Sequence, residues 1–273
     1  MRKSITVVIP TYNVKDIIDK CLESLRWADE IIIVDMFSND GSVEAFKKFP
    51  NVKVFQRHDY IYGNVNFGIT MAAGEWIMRF DSDEVMTEEL KQEILEILKK
   101  DGAGFDGFFC KPRLFMFGKE VRHGVGKYTH RKQIFRKGYA WYQVTSEHEE
   151  MTSKGKWGYL KNSYLHYSYK NIRHFIEKTK YYVLVNAEES QAQKLPITPP
   201  WLSIYKCIRF FILFYIQFYG FLDGWHGFLV SFLRGPYYVW YDDKARRLLK
   251  KRKVIKSVEK HRDKITNLQD RRI

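Results

Sequence analysis

The sequence contains few cysteines and none of the patterns that usually accompany them. Cys21, Cys110 and Cys207 are the three cysteines among 273 residues, and they form no CxxC pair and no even set. This spacing excludes a disulfide framework and a zinc ribbon. The apolar run that ends at Pro10 is too short for the core of a signal peptide. We therefore expect a reduced, cytoplasmic protein without an export signal.

Several common catalytic motifs are also missing. The chain has no GxxxxGK[ST] loop, so a P-loop enzyme is not supported. It has no HExxH and no GxSxG, which excludes the usual zinc peptidase and serine hydrolase patterns. If the chain is an enzyme, its chemistry comes from other polar clusters.

Charge is distributed unevenly along the chain. Residues 1–100 carry 13 Lys and Arg against 17 Asp and Glu, a net charge of −4, whereas the remainder carries 33 against 15, a net charge of +18. Most of the aromatic residues, which make up 16% of the chain, also follow residue 100. This asymmetry predicts an anionic partner for the C-terminal part, and both a nucleic acid and an anionic membrane surface fit it.

The first hundred residues alternate between short, β-branched apolar runs and amphipathic segments. The apolar runs predict buried strands at 5–9, 30–35, 52–55 and 75–80. The amphipathic segments predict helices at 14–27, 41–48 and 64–73, and Thr87 is placed to cap a fourth helix. Four such units in a row indicate an α/β fold with a Rossmann-like, mainly parallel sheet.

Polar clusters follow three of the predicted strands. They are Pro10-Thr11-Tyr12-Asn13, Asp35 with the Ser38-Asn-Asp-Gly41 turn, and Asp81-Ser82-Asp83. Open parallel sheets bind ligands at the carboxyl ends of their strands. Asp35 by itself also fits a turn or a helix cap, but the Asp81 and Asp83 pair fits a shared Mg²⁺ or Mn²⁺ that neutralises a diphosphate leaving group.

These motifs together resemble the family 2 glycosyltransferases, whose nucleotide domain has the GT-A fold. The matching pieces are Val7-Val-Ile-Pro-Thr-Tyr-Asn13, Ile33-Val-Asp35, Asn66-Phe-Gly68 and Ala73-Gly-Glu-Trp-Ile77 leading into Asp81-Ser-Asp83-Glu84. The resemblance implies a UDP-sugar donor. It implies that Pro10, Thr11, Tyr12, Asn13 and Asp35 hold the uridine, with further donor contacts from Asn66, Gly68, Asp81 and Ser82.

The same resemblance implies that Asp81 and Asp83 bind the metal–diphosphate. The sequence departs from the common Asp-Asp-Gly-Ser motif by having Met36 and Phe37 after Asp35, which leaves the nucleobase preference open.

A closer resemblance joins the chain to the bacterial branch of lipopolysaccharide core β-glucosyltransferases. It is carried by Glu147-His148-Glu149, His166-Tyr-Ser-Tyr169 and Phe221-Leu-Asp-Gly224. The branch implies an inverting transfer to an acceptor hydroxyl, with Glu149 as the general base and Glu147 as the competing candidate. His166 is either a further metal ligand or a core histidine.

The expected organisation has a GT-A domain at 1–192 and a helical region at 201–273. Within the first, 1–100 forms the nucleotide-sugar half, and 101–192 adds a mixed C-terminal extension of the sheet that holds the acceptor and ends in a helix at 171–192. The stretch 195–200 is a stiff linker. The C-terminal region is aromatic and basic, with 11 Lys and Arg against two acids between Lys244 and Lys264.

The aromatic part of this region predicts a helix that lies in a membrane interface. Around 201–222, a helical wheel places Ser203, Lys206, Arg209, Gln217 and Gly220 in one stripe that also contains Leu213, with apolar side chains elsewhere. Gly235-Pro236 is expected to break the second aromatic stretch, 225–241. A helix buried against the catalytic domain is the alternative.

The partner expected for this region is an anionic membrane surface and not a nucleic acid. We therefore expect a peripheral protein at the inner face of the membrane, acting on a glycan or glycolipid acceptor. Two other hypotheses remain open at this stage. One has polyprenyl phosphate as the acceptor, and the other is a basic scaffold that binds nucleic acid or acidic glycans without chemistry.

Overall fold

The computed structural model describes residues 1–127, 130–143, 151–192 and 198–269, with backbone alone for 185–186, 188–192 and 249–269. The chain forms two compact units. The first comprises Met1–Arg122 and Gly126–Lys170, and the second comprises His123–Val125 and Asn171–Ile273. The candidate bases Glu147 and Glu149 lie outside the described residues.

The first unit is built on a large mixed sheet. Its strands are β1 (Ile5–Thr11), β2 (Glu30–Asp35), β3 (Val52–Gln56), β4 (Trp76–Arg79), β5 (Glu84–Val85), β6 (Gly107–Met116), β7 (Lys119–Val121), β8 (Arg131–Arg136) and β11 (Trp157–Tyr169). The strand order is β3-β2-β1-β4-β8-β6-β11-β5, with β7 beside β6. β9 (Ala140–Tyr142) and β10 (Met151–Ser153) form a separate antiparallel pair. The first unit therefore has a GT-A-like α/β fold, in which β3, β2, β1 and β4 are parallel and the rest of the sheet is mixed.

The parallel part of the sheet follows the predicted strands closely. β3, β2, β1 and β4 run parallel, and every residue of β1 and β2 is buried. Continuous apolar runs of this kind form strands that are covered on both faces. The register pairs Thr11 with Asp35, so the polar residues that end β1 and β2 are neighbours.

Helices cover this sheet, and their sequences explain where they begin and pack. They are α1 (Ile18–Ser24), α2 (Ser42–Phe46), α3 (Ile61–Met71) and α4 (Glu88–Lys99). Thr87 caps α4 as predicted, because its side chain accepts a hydrogen bond from the Leu90 N–H at 3.2 Å. Leu90, Ile94 and Leu98 recur every four residues and are buried, so α4 covers the sheet with one face.

The second unit is helical and rich in aromatic residues. It contains α5 (Ile172–Ala192), α6 (Pro200–Ile212) and α7 (Gly224–Gln269). A π turn at Leu213–Gln217 and a 3-10 turn at Gly220–Asp223 connect α6 to α7, and Tyr219 between them has a left-handed φ of 60°. The helix predicted at 201–222 therefore ends early, at this reversal.

The predicted break at Gly235-Pro236 is wrong, because α7 continues through Pro236. A β-carbon on Gly235 would lie 2.5 Å from the Cys207 Sγ of α6, so α6 and α7 approach closely at this point. The packing of the two helices outweighs the hydrogen bond that Pro236 cannot donate.

Candidate active site

Asp35 closes β2 in a buried network. Its Oδ1 accepts from the Thr11 hydroxyl at 3.1 Å and from the Ser38 hydroxyl at 2.5 Å. Its Oδ2 accepts from the Ser38 N–H at 2.9 Å and from the Gln56 amide at 3.4 Å. These four bonds match the acceptor capacity of a carboxylate. Asp35 therefore fixes the turn after β2, and its predicted uridine contact stays a prediction.

The turns after β1 and β2 are joined to each other. Asn13, with a left-handed φ of 50°, donates its N–H to the Ser38 hydroxyl at 2.8 Å, and its side-chain oxygen accepts from the Asn39 N–H at 3.0 Å. The rings of Tyr12 and Phe37 on these turns are both more than half exposed. Pinned turns that present exposed aromatic rings offer a stacking surface for a flat base.

Asp81 is held by an arginine from the strand that precedes it. Arg79 Nη2 lies 2.8 Å from Asp81 Oδ1, and the guanidinium lies 6.0 Å and 5.9 Å from the ring centroids of Tyr62 and Tyr142. The two rings stack on each other at 4.4 Å. Burial would lower the pKa of Arg79, but the Asp81 charge raises it above its ordinary value. Arg79 is therefore a fixed cation beside Asp81.

Glu84 closes the turn that carries Asp81, Ser82 and Asp83. Its Oε2 accepts from the Asp81 N–H at 2.9 Å and from the Gln133 amide at 3.3 Å, and its Oε1 lies 3.6 Å from Arg131 Nη1. Its side chain is 1% exposed. Burial and then the negative charge of Asp81 raise the pKa of Glu84 well above its ordinary value. Glu84 therefore sets the shape of the turn. Ser82 lies within that turn and is half-buried.

Asp83 faces His166 of β11. Asp83 Oδ1 lies 3.5 Å from His166 Nε2, which is also 3.1 Å from the Ser168 hydroxyl. The backbone adds a second link, because the Tyr167 N–H donates to the Asp83 carbonyl at 2.8 Å. Burial lowers the pKa of His166, but the hydrogen bond and charge of Asp83 outweigh it and raise the pKa. The structure thus brings together two of the three predicted metal ligands.

Asn66 and Gly68 lie on α3 and make contacts within the fold. The Asn66 side-chain amide donates to the Tyr142 carbonyl at 2.8 Å, and its oxygen accepts from the Tyr142 N–H at 2.9 Å. A β-carbon on Gly68 would overlap the Val8 side chain of β1, so Gly68 lets α3 pack closely on the sheet. Their predicted donor contacts stay predictions.

Comparison with known proteins identifies the family of this fold and site. The family model described as "Glycosyl transferase family 2" matches residues 6–152, which is more than half of the chain. The chain belongs to glycosyl transferase family 2. The matched region includes Thr11, Asp35, Asp81 and Asp83.

Relatives of this family 2 glycosyltransferase occur in several bacteria. An uncharacterized glycosyltransferase of Rickettsia conorii is 25% identical over 258 residues, covering 85% of this chain and 86% of its own. The poly(ribitol-phosphate) beta-glucosyltransferase of Bacillus spizizenii is 38% identical over 98 residues, covering 31% of this chain and 16% of its own.

Solved structures with a similar chain course include two ligand complexes. TarS 1–349 of S. aureus in complex with UDP-GlcNAc has a TM-score of 0.49 and 17% identity, covering 84% of this chain and 79% of its own. The mannosyltransferase PcManGT of Pyrobaculum calidifontis in complex with GDP-Man and Mn²⁺ has a TM-score of 0.48 and 14% identity, covering 90% of this chain and 74% of its own.

The residues predicted to hold a divalent cation are compatible with a site that phosphate oxygens of the substrate would complete. Asp83 and His166 offer one carboxylate and one imidazole close together, whereas Asp81 is engaged by Arg79. Among the described residues, no group of three His, Cys, Asp or Glu side chains can hold an ion alone. Mg²⁺ and Mn²⁺ are commonly held by one or two carboxylates together with phosphate oxygens, which this donor set permits.

The segment predicted to carry the base is attached at both ends to the small β9–β10 pair. Tyr142 of β9 and Met151 of β10 are register partners, and the connection between them includes Glu147 and Glu149. Tyr142 is also the residue that Asn66 binds and that lies beside Arg79. One end of the connection, at Tyr142, is thus tied to residues around Asp81.

Sequence reasoning missed Arg79, Gln133 and the role of Tyr142. A signal for Arg79 was available, because it is the one charged residue of Trp76-Ile-Met-Arg-Phe80, an otherwise apolar strand. A cation at such a position needs an anionic partner, and Asp81 two residues later provides it. No comparable local signal marks Gln133, which contacts the Arg79 carbonyl across strands.

Proposed function

We propose that this glycosyltransferase moves a hexose from a UDP-sugar to a hydroxyl of a membrane-anchored surface glycan, such as a lipopolysaccharide core, with inversion at the anomeric carbon. The observation that carries the proposal is the alignment of polar groups along one edge of the sheet. Thr11, Asp35 and Asp81 follow or end β1, β2 and β4, which are adjacent and parallel. Ligands of open α/β sheets bind at this edge.

The nucleoside end of the donor is assigned to the pinned turns after β1 and β2. Tyr12 offers an exposed ring for the base, and Thr11 and Asn13 hold the turn that presents it. Pro10 precedes them at the end of the buried strand. The two turns hold each other by side-chain to backbone bonds, so the surface needs little reorganisation when a donor binds.

The diphosphate end is assigned to Asp81, Asp83 and His166, with Arg79 paired to Asp81. A bound Mg²⁺ or Mn²⁺ would stabilise the negative charge that develops on the leaving diphosphate. Asp81, Asp83 and His166 are the side chains that would hold it, and the Arg79 pair keeps the Asp81 carboxylate in one orientation. Glu84 keeps the turn between them closed by binding the Asp81 N–H.

The acceptor hydroxyl attacks the anomeric carbon from the face opposite the nucleotide. A carboxylate base takes its proton as the new C–O bond forms and the bond to the UDP oxygen breaks. Glu149 is the proposed base, with Glu147 as the alternative. A polymer hydroxyl is favoured as the acceptor over polyprenyl phosphate because the relative from Bacillus spizizenii, 38% identical over 98 residues, is a poly(ribitol-phosphate) beta-glucosyltransferase.

The donor class is tested by a thermal-shift panel of UDP-, GDP-, dTDP- and CMP-sugars with and without Mn²⁺. We expect a UDP-sugar to raise the melting temperature only with the metal, because ligands that bind the folded state stabilise it. Asp83→Asn should abolish this shift, whereas Glu177→Gln, at an exposed helix position, should keep it. A shift of equal size in EDTA would exclude the metal role. A shift with a GDP-, dTDP- or CMP-sugar and none with a UDP-sugar would exclude UDP as the donor nucleotide.

The base is tested by single-turnover transfer with Glu149→Gln and Glu147→Gln. The proposal predicts loss of transfer by a factor of about 100 to 10,000 in Glu149→Gln, with donor binding retained. The same loss in Glu147→Gln alone would move the role to Glu147. Full transfer in both variants would overturn the assignment.

A further inference from the structure

The two helices α6 and α7 have an inverted polarity. Six large apolar residues of α6 and the following π turn, the α6 stripe, are between 41% and 69% exposed: Trp201, Ile204, Tyr205, Ile208, Ile212 and Ile216. They recur at intervals of three and four residues, so they share one helix face. In contrast, Ser203, Ser231 and Asp242 are at most 2% exposed. Apolar groups outside and polar groups inside are the reverse of the arrangement expected in water.

The polar residues of α6 are used inside the helix pair. Lys206 Nζ lies 3.7 Å from Asp242 Oδ2 and donates to the Thr198 hydroxyl at 2.7 Å. Arg246 donates to the Thr198 carbonyl at 2.9 Å and to the Ser203 hydroxyl at 3.4 Å. The stripe predicted to face water is therefore divided, because Ser203 and Gly220 are buried while Arg209 and Gln217 are exposed. The pairing of α6 with α7 leaves the α6 stripe uncovered.

The exposed apolar surface continues around the reversal between the helices. Tyr219, Phe221, Leu222 and Trp225 are between 45% and 74% exposed, and we call these four the tip. Soluble monomers rarely expose contiguous apolar patches larger than a few hundred Å². A ridge with six large side chains in the α6 stripe and four in the tip therefore indicates a surface that is covered when the protein acts.

The composition of this surface fits a lipid bilayer. Trp and Tyr, which the α6 stripe and the tip combine with Ile, Leu and Phe, are the residues enriched at the boundary between headgroups and acyl chains. Arg209 is exposed on α6. The sequence from Lys244 to Lys264 adds 11 Lys and Arg against two acids. Such basic segments bind the anionic headgroups of a bilayer.

Helix geometry favours a position in the plane of the membrane. In the part of the chain that the structure describes, no single helix is long and apolar enough to span a bilayer. The segments Pro200–Gln217 and Gly220–Leu248 reach that length and composition only together, and they are bent by 71°. A bent, one-sided apolar surface is the arrangement of interfacial helices.

We propose that the α6 stripe and the tip insert at the headgroup–acyl boundary of an anionic bilayer. This inference goes beyond the sugar transfer proposed above and needs no donor or acceptor. It assigns membrane binding to named side chains of the second unit, and it gives the basic segment the role of contacting the anionic headgroups.

The test is cosedimentation of the full chain with vesicles of phosphatidylcholine, with and without phosphatidylglycerol. The wild-type protein should pellet with the anionic vesicles. In Ile204→Glu/Ile208→Glu the apparent affinity should fall at least about tenfold, because two charges replace apolar groups in the lipid. Ile172→Glu/Leu184→Glu is the matched control, since it also replaces two exposed apolar residues by glutamate, but on α5. Brominated lipids should quench tryptophan emission of the wild type, and Trp201→Phe/Trp225→Phe should lose most of that quenching.

Three outcomes would overturn the proposal. The first is equal pelleting of the wild type and the double-Glu variant. The second is binding that high salt abolishes in both proteins alike, with no quenching by brominated lipid. The third is a wild-type dimer that the double-Glu variant loses, without vesicle binding by either. Asp83→Asn should still bind vesicles. The thermal-shift panel therefore tests the donor site alone, and the vesicle assay tests the membrane surface alone.

Discussion

The side-chain amide of Asn66 pairs with the backbone of Tyr142 in both directions, at 2.8 Å and 2.9 Å. Tyr142 ends β9, where the chain continues toward Glu147 and Glu149, and its ring lies 5.9 Å from the guanidinium of Arg79. Arg79 in turn binds Asp81. The contact from Asn66 of α3 therefore holds Tyr142, which lies beside the Arg79–Asp81 pair and begins the connection to Glu149.

Asn66→Asp should reduce transfer more than it reduces donor binding. The new carboxylate keeps the acceptor for the Tyr142 N–H but has no donor for the Tyr142 carbonyl, so the start of the connection to Glu149 is released. We expect kcat to fall by about tenfold to 100-fold, as for a small displacement of a catalytic group, with the donor Kd changed little. Rapid-quench kinetics and calorimetric donor titration measure the two effects separately.

The control for this change is Thr70→Val, one turn further along α3. It removes a hydroxyl that bonds only to the Asn66 carbonyl among the hydrogen bonds described for it. Equal losses in the two variants would mean that α3 is generally disturbed. A matching fall in donor affinity would instead place Asn66 in the donor site, as the family resemblance implies.

Replacing Arg79 should cost folding stability through Asp81. Arg79→Met leaves the Asp81 carboxylate without its cation, and we expect a loss of about 1–3 kcal/mol in the free energy of unfolding. Arg79→Lys keeps the charge but loses the planar fork that contacts Asp81 and the two tyrosine rings, so it should rescue only part of this loss. Urea unfolding measures each variant.

A double-mutant cycle with Asp81→Asn separates the pair from the rest of the strand. If the ion pair carries the effect, Arg79→Met should cost less in the Asp81→Asn background than in the wild type. Additive losses would contradict that explanation and would assign the effect of Arg79 to its contacts with Tyr62 and Tyr142.

Glu30 should stabilise the fold at neutral pH and lose this effect in acid. Burial alone would raise the pKa of Glu30, but hydrogen bonds from the Ala73 N–H, Lys53 and Thr6 together outweigh it and lower the pKa. A lowered pKa contributes stability that is present above the unfolded value, about 4.3, and is lost as the pH falls through the folded value. Glu30→Gln should therefore be less stable than the wild type by about 1–3 kcal/mol near neutral pH.

The measurement is urea unfolding of both proteins from neutral pH to about pH 3.5. The difference between wild type and Glu30→Gln should shrink steadily below about pH 4.3. Glu177→Gln, whose side chain is 58% exposed, should show a difference near zero at every pH. A gap between wild type and Glu30→Gln that is constant with pH would show that the charge of Glu30 is not the cause.

The sequence predicted those parts of the fold that depend on local pattern. The strands β1 and β2 could be recognised from their apolar runs because both faces of these strands are covered. Since ligands of open parallel sheets bind at the carboxyl ends of the strands, the sequence also predicted that Thr11 and Asp35 lie at one site, and the register makes them neighbours. The hydrogen bonds of Asn66 could not be predicted, because its partner Tyr142 is 76 residues away in the chain.

The helical region shows a different limit. A helical wheel identifies the residues that share a face, such as Ser203 and Lys206, but it does not say which face a neighbouring helix will cover. The position of α7 decided that, and it buried Ser203 and left Ile204 and Ile208 exposed. The same packing carried α7 through Pro236, where local rules predicted a break.

The contact between Gly235 and Cys207 gives a prediction whose sign depends on the background. In the wild type, Gly235→Ala places a β-carbon 2.5 Å from the Cys207 Sγ, so we expect a loss of about 1–3 kcal/mol in the free energy of unfolding. In a Cys207→Ala background that sulfur is gone, and the gain from Ala over Gly in a helix, up to about 1 kcal/mol, should remain. In the Cys207→Ala background, Gly235→Ala should therefore be neutral or stabilising. Urea unfolding of the four proteins measures the coupling, and an equal loss in both backgrounds would show that the backbone of α6, and not the sulfur, limits the approach of the helices.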